Sequence, residues 1–135
     1  MSSGYSGTPL TKKLSLKDGM LVWWDRMPVS VRDEIAAEGL QLQLLDAPEP
    51  PIGAAHIFVV ERAALEAKLH QLVPLLAPSG FIWVSWPKKA AKVPTDITED
   101  TIRAVCLPMG LVDVKVCAVD ETWSGLKLMK RKAPR

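Results

Sequence analysis

The sequence predicts an α/β fold in which helices cover both faces of a mostly parallel sheet that ends in an antiparallel pair of strands. Two apolar runs, Ile57–Val60 and Phe81–Val84, flank a stripe of apolar residues at helical spacing. The stripe consists of Leu65, Leu69, Leu72, Val73 and Leu76. Continuous apolar runs are typical of strands buried on both faces, and the stripe is typical of a helix that lies on a sheet. Strand, helix and strand over this length predict a right-handed βαβ crossover.

The N-terminal part is predicted to supply two helices and a central strand. Thr8 followed by Pro9 begins a short helix, since proline suits the first helical position. Met20–Trp24 is apolar throughout and is therefore a central strand. Ser30 is the predicted cap of a second helix, Val31–Glu38.

The next segment is predicted to be an edge strand of uncertain direction. Residues 40–45 alternate between apolar and polar side chains, as expected where one face of a strand meets solvent. Residues 46–52 contain three prolines and cannot form a helix. A parallel strand would need this short segment as an extended crossover, although such connections usually take about a dozen residues. An antiparallel strand is the alternative.

The last third is predicted to add a helix and the antiparallel pair. Pro78–Gly80 is the turn that closes the preceding helix, and Thr98 caps the next one. Val112–Ala118 alternates as an edge strand does, and a turn leads from it to a last strand, Leu126–Lys130.

Composition predicts one cytoplasmic domain over residues 1–135. The chain is 48% apolar, and residues 1–19 form an arm and short helix, while residues 126–135 form the last strand and a basic tail. No run approaches the roughly 18 apolar residues that span a bilayer, and the N-terminus lacks a signal-peptide pattern. Cys106 and Cys117 lie on apolar faces, which favours reduced thiols.

The order of these elements resembles a shortened class I S-adenosylmethionine (SAM)-dependent methyltransferase, a Rossmann-like three-layer fold. In that fold the final strand inserts between its predecessor and the rest of the sheet. One strand and its helix, which the fold places between Asp46 and Ile57, are missing here. In addition, GYSGTPL at residues 4–10, WPKK at 86–89 and VDVKVCAVDETWSG at 112–125 resemble a bacterial family of uncharacterised domains. That resemblance implies no activity.

The methyltransferase resemblance implies SAM, but the sequence gives little support for this cofactor. SAM sites of this fold use a glycine-rich turn after the first strand, because only glycine lets the backbone approach the ligand closely. The corresponding turn, residues 24–28, contains no glycine. Asp46 is available as the acid that would hold the ribose, but one acid is weak evidence.

A ligand site is predicted at the carboxyl ends of the parallel strands, where open α/β sheets bind ligands. Strands should end there at Trp24–Arg26, Asp46, Glu61–Arg62 and Trp86–Lys89, and the turn from Asp120 to Ser124 should join them. The predicted ligand-binding residues are Trp24, Asp25, Arg26, Asp46, Trp86, Lys88, Lys89, Asp120, Glu121 and Trp123. Tryptophan beside lysine suits an anionic or aromatic small ligand. The alternative is that the tryptophans are core and the lysines solvated.

Catalysis has little support in the sequence. Ser85 lacks the flanking glycines of a nucleophile elbow, and His56 is predicted to start a strand away from the site. No His, Cys or acid cluster has metal-ligand spacing. The sequence therefore favours a non-catalytic small-ligand or protein-interaction module on a degenerate methyltransferase-like scaffold. A divergent SAM-dependent methyltransferase or other small-ligand enzyme is the alternative, and nucleic-acid binding is a weaker one that rests on the basic tail alone.

Overall fold

Six strands form a single mixed sheet in the computed structural model, which describes residues 7–132. The strands are β1 (Leu21–Asp25), β2 (Gln43–Leu44), β3 (Ile52–Phe58), β4 (Leu76–Pro87), β5 (Leu111–Ala118) and β6 (Trp123–Lys130). The α-helices are α1 (Leu10–Lys13), α2 (Val29–Ala37), α3 (Arg62–Leu72) and α4 (Glu99–Cys106). The order across the sheet is β2-β1-β3-β4-β6-β5.

The strand directions confirm the predicted architecture. β1, β3 and β4 are parallel neighbours, and β2 lies parallel to β1, which settles its direction. β6 inserts between β4 and β5 and is antiparallel to both, as the methyltransferase resemblance implies. Between β2 and β3 the chain forms neither a helix nor another strand, so the missing pair of elements is absent at this point of the described chain.

Several predicted boundaries are wrong, each for a local reason. β3 begins at Ile52 rather than Ile57, because Ala54 and Ala55 are small but fully enclosed strand residues. α3 ends at Leu72, since Pro74 cannot continue an α-helix, and a 3₁₀ turn leads directly into β4. Leu76, assigned to the helical stripe, is therefore the first residue of β4.

The predicted helix caps have a mixed outcome. Thr98 does cap α4: its hydroxyl accepts the Thr101 N–H, and the Thr98 N–H donates to the Thr101 hydroxyl in return. α2 instead begins at Val29 with Pro28 in the cap position, so Ser30 is a helical residue. α1 likewise has Pro9 at its cap. Proline fixes the φ angle of the residue that precedes the helix, so these helices begin there without a capping hydrogen bond from a side chain.

The sheet separates two apolar cores. On one face α3 and α4 bury Leu65, Leu69 and Ile102, and on the other α1 and α2 bury Leu10 and Val31. This is the three-layer arrangement that the sequence predicts.

The short N-terminal helix is held in place by polar contacts. The Trp83 indole N–H donates to the Leu14 carbonyl at 2.8 Å. The Glu38 carboxylate accepts the backbone N–H groups of Leu10 and Thr11 at 3.1 and 3.2 Å. The start of the predicted N-terminal arm, residues 1–6, lies outside the described residues. In the described part of the chain, no helix is both long and apolar enough to cross a membrane.

Candidate ligand site

A cleft of about 520 Å³ opens beside the carboxyl ends of β1 and β3. Three chain segments meet there: the turn after β1, the turn from β3 into α3, and the start of β6. The lining residues are Asp25, Arg26, Phe58, Val59, Val60, Glu61, Ala64, Ala67, Lys68 and Trp123. Its position is the one at which open α/β sheets bind ligands.

The charged groups of the cleft are two acids and two bases. The Lys68 ammonium lies 3.7 Å from the Asp25 carboxylate and 5.4 Å from the centre of the Trp23 ring. Arg26 is exposed and has a positive φ of 57°, and its side chain makes no hydrogen bond or ion pair with another described residue. The Arg26 guanidinium is therefore the cation at the cleft that is available to an incoming anion, whereas Lys68 is already compensated.

Aromatic rings form one wall of the cleft. The Phe58 and Trp123 rings meet edge to face with their centroids 5.1 Å apart, a favoured aromatic geometry. Trp123 is held by the turn before it, because the Asp120 carboxylate accepts the N–H groups of Thr122 and Trp123, each at 2.8 Å. Asp120 therefore shapes the turn that places Trp123, rather than facing a ligand itself.

Below this wall lies a buried polar pair that sequence reasoning missed. His56 Nε2 and Ser85 Oγ are 2.7 Å apart, and the His56 ring stacks on Phe58 with centroids 4.5 Å apart. Burial lowers the pKa of His56 to about 3, because the enclosed ring cannot hold a solvated positive charge. The prediction that His56 starts its strand away from the site is wrong. The pair is also inaccessible to a substrate, since 3% of His56 and none of Ser85 is exposed.

Three of the ten predicted ligand-binding residues, Asp25, Arg26 and Trp123, line the cleft. Trp24 faces the α1 and α2 side of the sheet, where the Arg32 guanidinium lies 5.1 Å from the centre of its ring, and it is not part of the cleft lining. Trp86 is 8% exposed and packs in the core on the α3 side, so its ring offers no surface to a ligand.

The other predicted residues lie outside the cleft lining. The Lys88 N–H donates to the Thr122 carbonyl at 2.7 Å, so the 86–89 and 120–124 segments do meet at one edge, as predicted. Lys89 begins an exposed 3₁₀ turn, and Glu121 and Asp46 are exposed. None of these four side chains is part of the cleft wall.

Sequence reasoning missed the wall that α3 contributes. Ala64, Ala67 and Lys68 lie on its first turns and face the cleft. The available signal was the run of small side chains at the start of the predicted helix, which leaves room beside the sheet.

The turn after β1 does not fit the SAM-binding mode of this fold. Arg26 carries a side chain at the position with positive φ, where a binding turn would use glycine. Met27 is buried in the core, and Pro28 at the start of α2 has no N–H to offer a ligand. The turn thus lacks the glycine that would let a ligand approach its backbone, and Pro28 offers no N–H. Among the described residues, no cluster of His, Cys and acids is suited to a metal ion.

Solved structures place the fold. The chain is similar to a SAM-dependent methyltransferase from Aquifex aeolicus at 14% identity and a TM-score of 0.63, over 94% of this chain and 90% of that one. A methyltransferase from Pyrococcus furiosus is 11% identical with a TM-score of 0.58, and the match covers 91% of this chain and 80% of that one. The ribosomal protein L11 methylase from Lactobacillus delbrueckii subsp. bulgaricus is 10% identical with a TM-score of 0.56, and the match covers 91% of this chain and 76% of that one.

These likenesses define a methyltransferase-like α/β fold at low sequence identity, and they reach no further than the fold. Some matched structures are longer, and the chain spans 40% to 47% of their length. No family model and no curated protein matches the chain. The resemblance to the bacterial family of uncharacterised domains therefore stays an expectation.

Proposed function

We propose that this protein is a non-catalytic ligand-binding module on a methyltransferase-like scaffold. Its ligand is a small molecule with a flat aromatic body and an anionic group, bound in the cleft beside β1 and β3. The observation that carries the proposal is the combination of an aromatic wall, Phe58 and Trp123, with the unpaired Arg26 guanidinium at the same cleft.

The dimensions and chemistry of the cleft support this class of ligand. A volume of about 520 Å³ lies within the range of small-molecule sites, roughly 300–1,000 Å³. An aromatic ligand gains apolar contact with the half-buried Trp123 ring, which the buried Phe58 ring supports, and its anionic group meets Arg26 at the exposed rim. The Lys68–Asp25 pair supplies a polar floor without a net charge of its own.

The absence of a serine, cysteine or histidine nucleophile from the cleft lining supports a non-catalytic role. Among the described residues that line the cleft there is no serine, cysteine or histidine. The buried His56–Ser85 pair is stacked beneath Phe58, and the His56 ring is uncharged near neutral pH. Transfer from SAM would in addition require the cofactor to bind a turn that contains no glycine.

SAM should not stabilise this protein. A ligand present at about a hundred times its dissociation constant adds roughly 2.7 kcal/mol to the free energy of unfolding, which shifts the melting temperature of a domain this size by several degrees. Because the turn after β1 presents side chains rather than glycine, we expect no shift with SAM. Differential scanning fluorimetry checks this, and a clear shift that Asp46→Ala abolishes would favour the methyltransferase alternative.

Filling the cleft should abolish binding of an aromatic anion. Ala64→Trp places an indole in the cleft, whereas Ala63→Trp adds the same group to the same helix at an exposed position outside the cleft lining. With anilinonaphthalene sulfonate as the probe, we expect Ala64→Trp to weaken binding by about tenfold or more, a loss of roughly 1.4 kcal/mol, and Ala63→Trp to leave it unchanged.

Arg26→Gln separates the two parts of this proposal, because it removes the charge but keeps the cleft open. We expect this variant to bind the sulfonate probe more weakly than the parent does, and to bind an uncharged naphthalene probe with unchanged affinity. Equal fluorescence titrations for parent, Ala64→Trp and Ala63→Trp would contradict the assignment of the cleft as the binding site.

A further inference from the structure

A second cationic feature lies on the α1 side of the sheet, away from the cleft. Four lysines converge there, and we refer to them as the lysine cluster: Lys13, Lys17, Lys115 and Lys127. They come from α1, from the loop after it, and from the antiparallel strands β5 and β6. Lys127 is four residues beyond Trp123 on β6, so the cluster lies roughly 13 Å from the aromatic wall.

The Lys127 ammonium group is enclosed by a hydroxyl and an aromatic ring. Its ammonium group donates to the Ser15 hydroxyl at 3.0 Å and lies 4.4 Å from the centre of the Phe81 ring. Burial lowers the pKa of Lys127, and the like charges of Lys115 and Lys17 lower it further. Both effects indicate a positive charge that lacks compensation at its own site.

Two other members are held in position by backbone carbonyls. The Lys115 ammonium donates to the Lys13 carbonyl at 3.2 Å, and the Lys13 ammonium donates to the Ala118 carbonyl at 3.3 Å. These crossed bonds tie α1 to β5 and restrict both side chains. Each ammonium has three donors, and these contacts use one, so most of the donors remain for a ligand.

No carboxylate neutralises the cluster among the described residues. In the ion pairs between described residues, the bases are Arg62, Lys68 and Arg103, and none of these belongs to the lysine cluster. Acids on or beside the elements of the cluster make other bonds, and Asp113 of β5 pairs with Arg103 at 2.9 Å. Asp18 accepts the Gln41 N–H at 2.8 Å, and Glu38 accepts the N–H groups of Leu10 and Thr11.

We propose that the lysine cluster binds a phosphate group, held by the ammonium groups of Lys17, Lys115 and Lys127 with the Ser15 hydroxyl beside them. Phosphate oxygens accept charge-assisted hydrogen bonds from several ammonium donors at once, which a single carboxylate or chloride cannot match. The fixed lysines and the half-buried Lys127 favour one compact oxyanion, such as inorganic phosphate or the phosphate of a small molecule.

The strand geometry argues against an extended polyanion at this surface. The basic tail is not one patch, because alternate residues of a strand face opposite sides of the sheet. Lys127 points to the α1 side, whereas the Lys130 ammonium donates to the Leu76 carbonyl at 3.0 Å on the other side. Arg135 lies outside the described residues.

The test compares two double variants that each remove two lysine charges. Lys17→Ala with Lys115→Ala removes exposed members of the cluster, and Lys88→Ala with Lys89→Ala removes two lysines of the loop after β4. Inorganic phosphate is titrated against each protein at constant ionic strength set with sodium chloride, and binding is followed by amide chemical shifts in NMR spectra. We expect saturable binding to the parent and to the Lys88/Lys89 variant, weakened about tenfold or more in the Lys17/Lys115 variant.

Lys127→Met is the second variant, because it keeps an apolar contact with Phe81 while removing the enclosed charge. It should also lose phosphate binding. The proposal is overturned if both double variants bind phosphate equally, if the Lys88/Lys89 variant alone loses binding, or if the shift changes do not saturate. An outcome in which sodium chloride alone reproduces the changes overturns it as well, since the cluster would then respond only to ionic strength.

Discussion

Lowering the pH from 7 to 4.5 should reduce the free energy of unfolding by about 2 to 3 kcal/mol through His56 alone. The pKa of His56 is about 3 in the folded protein and about 6.5 in the unfolded chain. Between these values the unfolded state binds a proton that the folded state does not, so stability falls as the pH falls. The loss begins near pH 6.5 and approaches its full size near pH 3, at about 1.4 kcal/mol per pH unit.

Urea denaturation at closely spaced pH values measures this slope. The matched control is the double variant His56→Leu with Ser85→Ala, which removes both partners and so leaves no polar group unsatisfied. Its stability should be nearly flat between pH 6.5 and 4.5. Arg103 lowers the pKa of Asp113, and that contribution is lost only as the pH falls below about 3.8, in parent and control alike. Equal slopes in the two proteins would mean that His56 is not enclosed as described.

The central part of the fold could be predicted because it depends on burial on both faces. The runs around Ile57 and Phe81 are apolar without alternation, and only a strand covered on both sides tolerates that pattern. The ends of the same strands were not predictable in this way. Alanine is a weak strand former, and only their pairing with β1 and β4 shows that Ala54 and Ala55 belong to the strand.

Part of the cleft lining was predictable because strand ends share one edge of a sheet, and Asp25, Arg26 and Trp123 do line the cleft at that edge. The side of the sheet was not predictable, since a shift of one residue moves a strand residue to the other face. Trp23 faces α3 and Trp24 faces α2, and the unbroken apolar run that contains both gives no indication of which is which. The α3 wall depends on the rotation of that helix on the sheet, which the sequence does not determine.

Gly80→Ala should destabilise the protein by about 1 to 3 kcal/mol, the usual cost of adding a group to a filled core. The sequence suggests that Gly80 belongs to a turn that ends α3, but Gly80 lies inside β4 and is buried. A methyl group there would lie 2.6 Å from the Ile52 carbonyl oxygen and 3.1 Å from the Ala77 carbonyl oxygen. Both are backbone atoms, so the strands themselves would have to move apart, and glycine is required by this close approach.

Ser79→Ala is the matched control, because Ser79 is the exposed neighbour in the same strand. Surface substitutions of this kind usually change stability by less than about 0.5 kcal/mol. Urea midpoints measured for the two variants decide between the turn and the strand interpretations. If the urea midpoints of Gly80→Ala and Ser79→Ala are equal, the first residues of β4 do not pack against Ile52. If only Gly80→Ala is destabilised, the β3–β4 pairing extends past the predicted turn to the amino ends of both strands, opposite the edge that bears the cleft.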